Sequence, residues 1–129
     1  IPLGIIADEI GGIALAAVFL YFGVTKFVDT AFWAQQIPQG LAAWLPIEPS
    51  SFTRLHGAYE IITGLLLIAR PWHRIGAALA LINLVPLIFI LTITGYGADV
   101  VIRDIGLAGL ALDILLTPHK RSLWERLRN

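Results

Sequence analysis

The chain has 129 residues, 57% of them hydrophobic and 14% charged, with nine Lys and Arg balanced by nine Asp and Glu. A soluble domain carries about 25% charged residues. Too few charges remain here to cover a water-facing surface, and the mean hydropathy is +0.80. The same composition excludes disorder, coiled coil and collagen. The absence of cysteine excludes disulfides, thiolate metal sites and CxxC redox chemistry. Zero net charge without a basic block argues against nucleic acid. The expectation is a single all-α integral membrane domain over residues 1–129.

In chain order, the first predicted span runs from about Ile10 to Lys26, with Asp8 and Glu9 before it. No basic segment precedes it, so no cleavable signal peptide is expected. Val28 to Ser51 is a long connection containing Phe32, Trp33, Trp44 and three prolines. Its aromatics suit a segment lying at the membrane interface. The second span covers about Phe52 to Ala69 and contains His56 and Glu60. A tight basic turn, Arg70-Pro71-Trp72-His73-Arg74, leads to the third span, about 75–95. The stretch from Ile75 to Ala98 is wholly uncharged, longer than the roughly 20 residues a transmembrane helix needs. Pro86 inside it is tolerable in a helix bundle, where neighbouring groups re-satisfy the freed carbonyl. A turn over Gly95 to Asp99 opens the fourth span, about 100–117, which carries Arg103, Asp104 and Asp113 and stops at Pro118. Ser122 is positioned to cap a short final helix over 123–128.

Four spans place both termini and the 70–74 turn on one side. That side carries Arg70, Arg74, Lys120, Arg121, Arg126 and Arg128, against Lys26, Arg54 and Arg103 on the other. The positive-inside bias makes both termini cytoplasmic.

Ionisable residues inside a bilayer cost about 2.5–3.5 kcal/mol each on insertion scales, so they pair or face a cavity. The topology brings Lys26, Arg54, His56, Glu60, Arg103 and Asp104 to one depth. His56 and Glu60, four residues apart, share a helix face. Helix one presents a stripe of Gly12, Ala16, Phe19, Gly23 and Lys26, which should face the bundle and deliver Lys26 to the cluster. Helix three offers Gly76, Ala80, Asn83, Leu87, Ile90 and Thr94.

Two readings of this cluster stand. In one, Lys26, Glu60, Arg103 and Asp104 form a neutral network that fixes helix order, with Arg54 in the same structural charge cluster. In the other, Lys26, His56, Glu60 and Asp104 line an outer-side polar pocket for a quinone or similar carbonyl ligand, with His56 exchanging protons. A metal site is not expected, because His56 and Glu60 lack a third and fourth ligand. His73 and His119 lie in basic segments where solvent or headgroup contact is expected. On helix four, Gly106, Gly109 and Asp113 fall within about 60° of one another, with Asp104, Ala108 and Ala111 on a roughly opposite stripe. The first of these faces is a candidate contact for a partner helix.

The strings FLYFGVTKF (19–27), AYEIITGLLLIARPWHRIGAAL (58–79) and IRDIGLAGLAL (102–112) resemble the DoxX family of small four-helix membrane proteins. The shared pattern is F-x-x-x-G-x-x-K closing helix one, a Glu leading into small and Leu residues in helix two, and a charged-Asp pair opening helix four. The family often has an Arg early in helix one, whereas Gly11 and Gly12 stand in that region here. The resemblance implies a four-helix bundle and, in some members, association with membrane oxidoreductases, including thiosulfate–quinone systems. Without a cofactor motif, the expected function is a small non-catalytic accessory subunit of a larger membrane complex, redox or energy-converting. The alternative is a quinone-binding redox component. Lipid and other integral membrane subunits are the expected partners.

Overall fold

A computed structural model of the chain describes residues 3–69, 72–95 and 97–116, with side chains from residue 10 onward. Six helices follow in order: α1 (Leu3–Val28), α2 (Thr30–Gln35), α3 (Gln39–Ala42), α4 (Pro49–Ile68), α5 (His73–Ile93) and α6 (Ala98–Leu116). No strand occurs among the described residues. The terminal helix expected over 123–128, and His119, lie outside the described residues.

Helix boundaries follow local chemistry. Pro49 sits in the first turn of α4, where its missing N–H would have had no partner, so the helix starts three residues before the apolar stretch. Gly95, at φ +73°, ends the α5 exit in the left-handed region that favours glycine. The connection from 29 to 48 is not extended. It folds into the two short helices α2 and α3, and α2 packs on α1 and α4.

The four long helices pack in a ring of neighbours: α1 on α4, α4 on α5, α5 on α6, and α6 back on α1. The α1–α4 contact is the most extensive, and glycines explain why. A Cβ on Gly23 would lie 2.8 Å from the Gly57 carbonyl oxygen, and one on Gly57 would lie 2.9 Å from that of Gly23. Further along, a Cβ on Gly64 would press on Leu20 at 2.7 Å. At the other end, Gly76 lets α5 approach the Leu67 backbone, where a Cβ would meet its nitrogen at 2.7 Å. Arg74 ties α5 to the end of α6, donating from Nε and Nη2 to the Leu115 carbonyl at 3.1 and 2.9 Å. That carbonyl is in the last turn of α6, where no intrahelical N–H remains for it.

The core interleaves alanines with a few large side chains: Leu15, Ala16, Phe19, Leu67, Ala77, Ala80, Leu84 and Ala111. Many other large aliphatic and aromatic side chains point the other way. Ile62, Leu65, Ile82, Val85, Phe89, Ile102 and Ile105 are all more than half exposed. In water this inversion would be penalised, whereas in lipid the outer face needs no polar cover and close packing of small residues holds helices together. Two helical stretches, Ile10–Val28 and His73–Ile93, are long and apolar enough to cross a membrane, with mean hydropathies of 1.8 and 2.4.

The glycines give a direct test. Gly57→Ala should lower the thermal midpoint in detergent, reflecting about 1–3 kcal/mol of overpacking against backbone. Gly109→Ala, where a Cβ meets nothing within 4 Å, should leave the midpoint unchanged or raise it. Equal effects at the two positions would remove the α1–α4 backbone contact as the basis of packing.

Candidate functional site

Lys26 is on the last turn of α1 and Glu60 is in the middle of α4. Each follows its contact glycine, Gly23 or Gly57, by three residues. The helices are antiparallel, so the two side chains start on opposite sides of the glycine contact along the helix axis and reach toward each other. Lys26 Nζ donates to Glu60 Oε1 in an ion pair whose side chains are 11% and 7% exposed. The ammonium also lies 4.7 Å from the centroid of the Trp33 ring and 5.8 Å from that of Phe22. Trp33 reaches it from α2, so the connecting segment covers the pair. Phe22 and Trp33 meet edge to face at 5.5 Å.

His56 lies one turn from Glu60 on α4. Its Nε2 is 2.6 Å from Asn83 Oδ1. An amide oxygen only accepts, so with this amide orientation Nε2 carries the hydrogen and donates. Nδ1 is 3.6 Å from Glu60 Oε1, beyond a hydrogen bond. The ring stacks on Phe52 at 6.0 Å and 7°.

Asp104 is buried on α6. Its Oδ1 accepts from Arg103 Nε at 3.1 Å, while its Oδ2 is buried without a hydrogen-bond partner. Arg103 is half exposed and lies 5.3 Å from the Phe22 centroid. Neighbouring residues on a helix do not face one another, so Arg103 reaches round to a single oxygen and leaves the other bare.

These groups line one cavity of about 90 Å³. Lys26, His56, Glu60, Asn83, Arg103 and Asp104 supply its polar wall, and side chains including Phe22, Trp33, Leu84 and Leu107 its apolar wall. Arg54, grouped with the cluster by depth, is exposed on α4 and takes no part in the cavity or in the ion pairs among the described residues. At 100° per residue it lies about 120° from Glu60 around the helix. Phe22, Trp33 and Asn83 were not assigned to the site from sequence. Asn83 was visible as the strong polar group of the third span, but nothing marked Trp33 beyond its aromatic character. On α6, Asp104 and Ala111 are buried, and Gly106, Gly109 and Asp113 are exposed. Among the described residues no group of three or more His, Cys, Asp or Glu side chains gathers to hold a metal ion.

Among the described residues the regular structure is all helical, with apolar outer faces, two membrane-length apolar helices and buried charges turned inward, as in a helical membrane protein. The chain belongs to the DoxX family, whose model matches residues 9–93. That match covers α1 from Glu9 through the whole of α5 and leaves α6, with Asp104, outside it. Comparison with curated proteins and with solved structures gave no match.

The ion pair generates the second test. Glu60→Ala leaves the Lys26 ammonium buried without compensation and should cost about 3–5 kcal/mol, read as a fall in thermal midpoint in detergent. Lys26→Met combined with Glu60→Leu should recover much of that loss, since an apolar pair of similar volume carries no desolvation penalty. Wild-type stability of Glu60→Ala would show that the pair is solvated.

Proposed function

We propose that the chain is a four-span, non-catalytic subunit of a larger membrane assembly, built as a single four-helix bundle with α2 and α3 at the outer interface. Support for four spans comes from α4 and α6, which are less apolar than α1 and α5. Both still turn large aliphatics outward, Leu55, Ile62 and Leu65 on one and Ile102, Ile105 and Leu116 on the other. Their buried acidic residues, Glu60 and Asp104, face inward. The orientation that fits the distribution of Lys and Arg has both termini in the cytoplasm of a bacterial or archaeal cell.

The subunit reading is carried by Gly106 and Gly109. In the long helices, Gly11, Gly12, Gly23, Gly57, Gly64 and Gly76 all meet a neighbour where a Cβ would stand, but Gly106 and Gly109 meet nothing within 4 Å. A helical glycine is about 1 kcal/mol less favourable than alanine, and no packing among the described residues requires these two. A partner transmembrane helix crossing at close range does require them, and Asp113 lies on the same face. A redox or energy-converting complex is the assembly that the family resemblance suggests. Replacing both glycines with leucine should leave folding and insertion intact and release the subunit from its complex during gentle purification. Full retention of the double variant would eliminate this face. Cysteine scanning on the cysteine-free chain checks the topology. A cysteine at Gln39 should label from outside intact cells and one at Trp72 should not, and the reverse pattern would overturn the orientation.

A second reading rests on the cavity, whose wall joins polar groups on one side to apolar side chains on the other. A quinone is one occupant. Its carbonyl oxygens would accept from Lys26 and Arg103, with His56 and Glu60 beside them. At about 90 Å³ the cavity is smaller than the roughly 150 Å³ that takes up benzene, so a quinone would insert only one edge of its ring. Quinone bound in a gentle detergent extract supports this reading, and stable co-purification with a large complex supports the first.

A further inference from the structure

The hydrogen-bonding needs of the cavity define its ligand more narrowly than its shape does. This step rests on reading the cavity as a ligand site. Its two fixed cations, Lys26 and Arg103, are each paired with a carboxylate, Glu60 and Asp104 respectively. With His56 neutral the set sums to zero, so neither an anion nor a third cation gains net attraction. The aromatic faces are also engaged, since Lys26 lies over Trp33 and Arg103 over Phe22. The buried oxygen of the lining left without a hydrogen-bond partner is Asp104 Oδ2, on a side chain only 3% exposed. A carbonyl-only ligand offers no hydrogen to it. A hydroxyl does, and its own oxygen can accept from the Lys26 N–H groups not used by Glu60.

We propose that the cavity binds the hydroxyl head of a neutral amphiphile, its O–H donated to Asp104. The limited volume admits such a head and little more. The apolar wall of Phe22, Leu84, Leu87 and Leu107 suits the first carbons of the chain, with the rest left in the surrounding lipid. Oδ2 is closed to solvent, so seating the head requires the Asp104 side chain to shift and its bond from Arg103 to adjust.

The test is competition between 1-dodecanol and its methyl ether, which share a chain and differ in the O–H. The intact protein is released from detergent into the gas phase after equilibration with equal amounts of both, and the adducts are counted by native mass spectrometry. The wild type should retain the alcohol at least about 10-fold over the ether, the selectivity that one hydrogen bond to a charged acceptor supplies. Asp104→Leu should bring the ratio near one. Asp104→Asn, which preserves shape, should give an intermediate ratio and guards against loss of fold in the leucine variant. Equal retention of alcohol and ether by the wild type would overturn the hydroxyl assignment while the cavity stood as a ligand site. Retention of neither would overturn both. Preference for dodecylamine over dodecanol would overturn the neutrality of the ligand.

Discussion

The contact between Gly23 and Gly57 is the constraint on which the rest of the structure depends. With no Cβ on either side, the α1 and α4 backbones meet closely enough that an added methyl on one would strike the carbonyl oxygen of the other. That proximity brings the side chains three residues further along each helix, Lys26 and Glu60, into an ion pair sheltered from solvent. A wider crossing would leave each charge alone in an apolar medium, where neither is tolerable. The same register sets Phe19 and Leu15 into the core and turns Tyr21 and Val24 outward. Backbone proximity and charge pairing therefore reinforce each other, the one specifying distance and the other specifying rotation and register.

The second pair of long helices is joined differently. Arg74 at the start of α5 reaches the carbonyl of Leu115 near the end of α6, and small residues line the seam. Asn83 and Tyr59 bridge α5 to α4 through His56 and the Leu79 carbonyl, the latter at 2.5 Å. The cavity lies where the two pairs meet. At one end of its polar wall Lys26, Glu60, His56 and Asn83 each have a partner. At the other end, Asp104 is held through one oxygen by a half-exposed neighbour, and its second oxygen is buried without one, a cost that satisfying it would remove.

Much of this was legible in the sequence because charges are conspicuous against an apolar background. Lys26, Glu60 and Asp104 stand out in their spans, and the spacing of Gly12, Ala16, Phe19, Gly23 and Lys26 shows which face of α1 turns inward. Depth was readable but helical phase was less so. Arg54 shares a level with the cluster and points elsewhere. On α5 the expected stripe turns inward at Gly76, Ala80, Asn83 and Leu87, but Ala77, Leu84 and Leu91 are buried beside it and Thr94 is exposed. A helix that is apolar all round carries no moment to orient it, and only its small residues betray the contact. Trp33 was out of reach for another reason. It comes from a connecting segment whose folding back over Lys26 depends on tertiary packing, which no local pattern encodes.

The ion pair also has a temporal side. Lys26 and Glu60 are 34 residues apart in sequence, and the chain between them includes α2, α3 and half of α4. At the usual pace of synthesis of about 5–20 residues per second, Lys26 is made about 2–7 s before its counter-ion exists. During that interval α1 carries an uncompensated ammonium near its C-terminal end, where the long side chain can reach a polar boundary. The final packing of the first helix therefore waits for α4, and charge pairing and helix assembly become a single coupled event.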